Sequence, residues 1–151
     1  MKKNRLIIFA LILVIITAFA TVLHLSTREE VVEGHLKLTI GDKETTTDLD
    51  DFEYEQLSGV RVNGKGEEIP MEGEGILMRD LLKSIGAEDY KKVRIVADDS
   101  YIAEVNEEEV LEDGKVCLFL QEEGGLRLVV FGDENSKRSV SDVVQIIVEI
   151  D

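Results

Sequence analysis

The sequence predicts an α+β fold in which an N-terminal transmembrane helix precedes a compact mixed-sheet domain. The helix is indicated by a run of 20 residues without formal charge, Leu6 to Leu25. The sheet is indicated by short segments with an apolar residue at every second position, as in His35 to Ile40, which is the pattern of a half-buried strand. Because strands follow one another in runs and helical segments are few and short, α+β is favoured over alternating βα units.

The uncharged run is predicted to be a membrane anchor, because a helix of this length extends about 30 Å, the thickness of a hydrocarbon core. Three basic residues precede it: Lys2, Lys3 and Arg5. The positive-inside bias then places the N-terminus in the cytoplasm and the domain outside the cell membrane, on a single-pass anchor. A signal peptide cleaved near Ala20, which would release a secreted domain, is the alternative, since Ala18-Phe19-Ala20 fits the small-x-small cleavage pattern.

These boundaries divide the chain into four segments: a cytoplasmic tail 1–5, the anchor 6–25, a stalk 26–34 and an extracytoplasmic domain 35–151. The clearest helix of the domain is Ile76 to Ile85, followed by Gly86 at the position of a left-handed C-cap. Asn106 and Glu109 have the spacing of a capping box at the start of a second, short helix. The predicted strands are, in chain order, 35–40, 44–49, 60–62, 93–97, 101–105, 115–121, 126–131 and 145–150.

Two segments between these elements are predicted to be irregular. Asp48, Asp50, Asp51 and Glu53 crowd one stretch, which is predicted to be a solvated loop or a short helix start, since no glycine or distal glutamate stands at calcium-loop spacing. The run from Gly64 to Gly75 contains four glycines and the only proline of the chain. It is predicted to be a loop or an irregular hairpin.

Charge restricts the functions that the domain can have. The chain carries 32 acidic and 17 basic residues, which gives a formal net charge of -15 at pH 7. So acidic a surface repels phosphate backbones, and nucleic-acid binding is therefore disfavoured. The favoured interpretation of this acidity is that it keeps the protein soluble. The functional alternative is that it binds a cationic partner or loosely held cations. The single cysteine, Cys117, lies in an apolar run and is predicted to be a buried, inert thiol.

Several segments resemble, in the same order, those of the oxidoreductase molybdopterin-binding domain, the fold of sulfite oxidase and its relatives. The segment from Gly75 to Leu82, followed by Ile85-Gly86, resembles the family's "GVPLRDLL…AG". The other similar segments are Asp98 to Tyr101 ("ADGY"), Asn106 to Val110 ("PLEEAL"), Leu126 to Val130 ("PLRLVVPG") and Val143 to Val148 ("VKRIEV"). The resemblance implies an α+β domain with mixed sheets and, in active members, a pterin-bound molybdenum held by one cysteine thiolate.

The sequence departs from this family at the metal ligand. No cysteine lies between Ser26 and Gly75, where the resemblance places the ligand; Ser58 falls near that position, but its neutral hydroxyl is a poor substitute for the soft thiolate that the metal needs. The pterin phosphate requires basic partners, and Lys137 and Arg138 form the one basic pair in that part of the chain. Ser58, Lys137 and Arg138 are therefore the candidate cofactor contacts.

The predicted function is a membrane-anchored, extracytoplasmic binding or accessory module, built on a scaffold like that of the molybdopterin oxidoreductases but without a catalytic metal. Enzyme activity is not favoured; no catalytic residue, metal ligand or cofactor is predicted, and molybdopterin is expected only if the resemblance extends to function. The expected partners are the membrane, through Leu6 to Leu25, and an exported protein. Two alternatives stay open: a molybdopterin-dependent oxidoreductase-like enzyme with altered cofactor ligation, and a structural cell-surface domain.

Overall fold

The structure, a computed structural model, describes residues 11–21, 34–134 and 136–150, without the side chain of Ser136. The chain divides into two compact units, Met1–Val31 and Val32–Asp151. The second unit contains every described strand and both clusters of buried apolar residues. It therefore has its own hydrophobic core, as a domain that folds independently requires.

The predicted transmembrane helix is not part of the described structure. In the first unit, residues 11–21 are helical (α1). Across the described ranges, no helix combines the length and the apolar character needed to cross a membrane. The predicted fold class is therefore corrected to a mixed-sheet domain; the rest of the 6–25 anchor, the tail 1–5 and the stalk up to residue 33 lie outside the described residues.

The second unit is built on one mixed sheet of nine strands, counted over the described residues. The strands are β1 His35–Ile40, β2 Lys43–Asp48, β3 Glu55–Val62, β4 Glu68–Leu77, β5 Tyr90–Ala97, β6 Ile102–Asn106, β7 Val116–Leu120, β8 Leu126–Val130 and β9 Val140–Ile150. The spatial order is β2-β1-β9-β8-β7-β4-β3, and β5 pairs with β9 and with β6. Only β1 and β9 are parallel; all the other described pairs are antiparallel.

Two short helices follow strands directly: α2 spans Met78–Ser84 and α3 spans Glu107–Leu111. The helical spacing of α2 turns Leu81 and Leu82 into the main core, where they are 0% and 1% exposed. Gly86 ends this helix with a φ of 69°, a left-handed conformation that glycine adopts without steric cost. The predicted capping box of α3 is confirmed, because the Glu109 N–H donates to Asn106 Oδ1 at 2.9 Å and the Asn106 N–H donates to Glu109 Oε2 at 3.2 Å.

The hairpin formed by β3 and β4 covers the outer face of β7 and β8. Both faces of these two strands are buried. Their inner face packs on the main core, and their outer face carries Cys117, Phe119 and Val129, which lie under the hairpin. Phe119 and Phe131 stack edge to face with centroids 5.8 Å apart. The Gly132 N–H donates to the carbonyl of Val60 at 3.3 Å and so ties the hairpin to the end of β8.

Glycines allow this hairpin to approach the sheet closely. A Cβ on Gly59 would lie 2.6 Å from the ring of Phe131, and one on Gly75 would lie 2.6 Å from the carbonyl oxygen of Leu118. Two alternatives were predicted for the run from Gly64 to Gly75. The loop is wrong from Glu68 onward, since these residues belong to β4; the hairpin is confirmed, although its pairing with β3 is regular. Glycine marks close packing there, not a turn.

The glycine contacts lead to a test of this packing. Gly59→Ala is expected to lower the free energy of unfolding by about 1–3 kcal/mol, because the added methyl group overlaps the Phe131 ring. Gly73→Ala is the matched control, since its Cβ would lie 3.5 Å from Phe119, an ordinary contact, and a change under about 0.5 kcal/mol is expected. Urea unfolding of residues 32–151 measures both; equal effects would contradict the proposed fit.

Candidate functional site

The three candidate cofactor contacts do not converge on one site. Ser58 lies on β3, opposite Glu72 of β4, and its side chain is exposed on the face of the hairpin that points away from Phe131. Lys137 lines a polar cleft of about 400 Å³, of which neither Ser58 nor Arg138 is part. The cleft is fixed in part by the hydroxyl of Tyr101, which donates to the carbonyl of Lys137 at 2.9 Å.

Arg138 is held by two carboxylates. Its Nη1 donates to both oxygens of Glu109 at 2.7 and 2.9 Å, and its Nε donates to Asp133 Oδ2 at 2.8 Å. The three side chains are only 23%, 18% and 12% exposed, in the order Arg138, Glu109 and Asp133. The hydrogen bond to Asp133, followed by that to Glu109, raises the pKa of the guanidinium. Arg138 thus joins α3 to the 3₁₀ turn Ser136–Arg138, and its charge is already compensated.

Cys117 is enclosed by apolar side chains. It is 1% exposed, packs with Phe119 and Val129, and points its Sγ at the carbonyl of Gly114 at 3.5 Å. Burial, helped by the nearby carboxylate of Glu55, raises the pKa of the thiol to about 12. A neutral thiol in such surroundings is neither a nucleophile nor a metal ligand at neutral pH.

The described residues therefore do not fit a pterin-bound molybdenum. The thiol that could ligate the metal is enclosed and protonated, the exposed Ser58 offers only a hydroxyl, and Arg138 is engaged by carboxylates. Within ranges 34–134 and 136–150, no group of three or more His, Cys, Asp or Glu side chains is arranged to hold a metal ion.

A larger cleft lies at the base of the β3–β4 hairpin and is called the acidic cleft below. It has a volume of about 580 Å³ and is bordered by four carboxylates and two aromatic rings: Asp51, Glu53, Glu55, Asp80, Phe52 and Tyr54. Asp80 is 3.3 Å from Arg79 Nε. The carboxylates of Asp51, Glu53 and Glu55 form no ion pair with any described residue.

The local sequence explains how the acidic cleft is formed. Asp48 accepts a hydrogen bond from the Asp50 N–H at 3.1 Å and caps a 3₁₀ turn, Leu49–Asp51. After this turn, acidic and aromatic residues alternate into β3. The Tyr54 hydroxyl donates to the carbonyl of Leu49 at 2.8 Å, which fixes the ring. Burial, and then the carboxylates of Asp50 and Asp48, raise the pKa of Tyr54, so that the phenol is neutral at physiological pH.

Sequence reasoning found the acidic stretch but missed the cleft. The prediction of a solvated loop or short helix start is correct for the turn at Leu49–Asp51. The contributions of Ile76 and Asp80 come from the far side of the hairpin and could not be read from the local sequence. The available signal was the alternation of acidic and aromatic residues from Asp51 to Glu55, which turns the two rings toward the core and leaves the carboxylates exposed.

The thiol gives a pH-dependent test. Because the pKa of Cys117 rises from 9.0 to about 12 in the folded protein, its contribution to stability is full below pH 9 and is lost as pH rises toward 12. The loss is about 1.4 kcal/mol per pH unit in this window. The free energy of unfolding of residues 32–151 in urea, measured at pH 8, 9.5 and 10.5, should fall with this slope relative to that of Cys117→Val. All other titrating groups are the same in the two proteins. Parallel pH profiles of the two proteins would show that the thiol ionises normally.

Comparison with known proteins adds no family assignment. No family model matches the chain, and no curated protein matches it. The likeness to the molybdopterin-binding domain therefore stays a prediction that rests on the segments named above.

Proposed function

We propose that the domain is an extracytoplasmic, non-catalytic binding module that docks a basic side chain of an exported protein in the acidic cleft. The observation that carries this proposal is the combination of two aromatic rings with three carboxylates, those of Asp51, Glu53 and Glu55, that form no ion pair with a described residue. The one hydroxyl of an aliphatic side chain in the lining, that of Ser84, donates to the carbonyl of Leu81 at 2.7 Å. We expect no cofactor to be required.

The chemistry of the cleft matches a lysine or arginine head. Carboxylates accept charge-assisted hydrogen bonds from such a head, and aromatic faces such as those of Phe52 and Tyr54 attract cations through the ring quadrupole. The fixed Tyr54 ring loses little conformational entropy when a ligand binds. A volume of about 580 Å³ accommodates a side chain or short peptide segment rather than a whole protein surface.

The charge of the whole chain supports the same partner class. At -15, the protein attracts basic partners over several ångströms and repels acidic ones, which raises the association rate before any contact forms. This long-range attraction is not specific to one position. Specificity must therefore come from the acidic cleft, where carboxylates and rings are close together, and the two contributions can be separated by experiment.

The cleft can be tested with a fluorescently labelled peptide that carries three arginines, bound to residues 32–151 and measured by anisotropy. Neutralising the cleft with Asp51→Asn, Glu53→Gln and Glu55→Gln should weaken binding about tenfold or more, because each of the three contacts contributes up to about 1 kcal/mol. Added salt should reduce the affinity of the unmodified protein.

A matched control removes the same charge elsewhere. The control variant carries Glu108→Gln, Glu122→Gln and Glu123→Gln, at exposed positions outside the cleft lining. It should bind the peptide only about twofold more weakly, through the change in net charge. If both triple variants weaken binding equally, the attraction is a property of the overall charge and the cleft is not a site.

Export of the domain is the second part of the proposal and rests on the basic, then apolar, N-terminal sequence. We expect the native protein in the extracytoplasmic or membrane fraction, with a mature mass that reports whether the chain is cleaved near Ala20. Intact-mass measurement of protein from cell fractions checks this. Full-length protein in the cytoplasmic fraction would contradict it.

A further inference from the structure

The edge strand β2 turns polar side chains toward the core side of the sheet. In the antiparallel pairing of β1 and β2, Leu38 lies opposite Thr45 and Ile40 lies opposite Lys43. Residues directly opposite each other project from the same face of a sheet. Leu38 is in the main core and Ile40 packs against it, so Lys43 and Thr45 project on the core side, where apolar residues are expected.

These residues border a second cleft, called the β2 cleft. It has a volume of about 420 Å³ and lies between the β1–β2 hairpin and the C-terminal end of α2. Leu38, Ile40 and Ile85 supply its apolar part, and Lys43, Thr45 and Thr47 supply its polar part. The cleft exists because α2 ends at Ser84 and Gly86 turns the chain away, which leaves the core side of β2 uncovered by this helix.

Lys43 has no carboxylate partner among the described residues, although the domain is strongly acidic. Lys37 illustrates the contrast, because on the other face of the hairpin its Nζ lies 3.4 Å from Glu44 Oε1. The β2 cleft therefore combines two threonine hydroxyls and an apolar floor with an ammonium group that has no carboxylate partner in the described part of the chain. This is the donor set that an anionic head attached to an apolar chain requires.

We propose that the β2 cleft binds a single-chain amphiphile with a carboxylate head, with the chain on Leu38, Ile40 and Ile85 and the head at Lys43. Hydroxyl groups of the threonines can donate to the second carboxylate oxygen. The site is distinct from the acidic cleft, and its ligand has the opposite charge. Its occupation does not depend on the function proposed above.

A structural role for Lys43 is the competing explanation. An inward-pointing charge on an edge strand discourages pairing with another sheet edge, and β2 is such an edge, since it pairs only with β1 in the described sheet. That role predicts that Lys43→Met promotes self-association and that the cleft binds nothing. The two explanations therefore differ in a measurable way.

The test uses decanoate below its critical micelle concentration, titrated into residues 32–151 and followed by calorimetry and amide NMR shifts. Saturable binding with one site is expected, with shifts centred on β2 and residues 85–86. Decyltrimethylammonium has a similar chain and a cationic head, which also suits the acidic cleft, so its binding is read from the amide shifts of β2 and residues 85–86 alone. There its affinity should be at least about tenfold weaker, since its head meets the ammonium group of Lys43. Acetate, which lacks the chain, should not bind measurably.

Variants assign the binding to the cleft. Lys43→Met should lower the affinity for decanoate about fivefold, because a partly exposed ion pair is lost. Lys43→Arg keeps this ion pair, and its affinity should stay within about twofold of that of the unmodified protein. Thr45→Phe should abolish binding by filling the cleft, and Lys65→Met, on an exposed loop, should have no effect. Circular dichroism checks that each variant is folded. Absence of saturable decanoate binding, or equal affinity in Lys43→Met, would overturn the proposal.

Discussion

The close approach of the β3–β4 hairpin to the outer face of β7 and β8 is the constraint on which the domain depends. Phe131 and the backbone of Leu118 lie so close to Gly59 and Gly75 that a Cβ atom at either position would overlap them. The hairpin can therefore cover Cys117 and Phe119 and create a second cluster of buried side chains. Its base then brings the start of β3 and the end of β4 together, where Glu55 is paired with Gly75 and the acidic cleft opens.

The same packing encloses the thiol of Cys117, and a metal ligand of the kind that the resemblance to molybdopterin-binding domains implies is therefore not available among the described residues. The thiol lies beneath the hairpin, where burial keeps it protonated, and no other described side chain supplies a soft anionic ligand. Arg138 has a structural role, since its guanidinium pairs with Asp133 and with Glu109, and Glu109 also belongs to the capping box of α3. A fold does not by itself determine a function, so a resemblance in sequence segments does not imply oxidoreductase chemistry for these residues.

The two clefts differ in the chemistry of their linings. The acidic cleft offers carboxylates and rings to a cation, whereas the β2 cleft offers a lysine and an apolar floor to an anionic amphiphile. Both arise where a short element stops early: the 3₁₀ turn at Leu49–Asp51 in one case, and α2 at Ser84 in the other. Short helices cannot cover a sheet of nine strands completely, so its margins remain open to ligands.

The sequence by itself determined the elements whose signal is local. Local patterns indicated eight of the nine described strands, all but β4. Helical spacing and Gly86 indicated α2, and the spacing of Asn106 and Glu109 indicated the capping box of α3. It misassigned the glycines of β4, because glycine serves turns and close packing alike. Only the tertiary structure decided which residues share a site. Strand register places Ile76 at the acidic cleft and Lys43 on the core side of the sheet. Register pairs residues that are distant in the chain, and it therefore leaves no pattern in the local sequence.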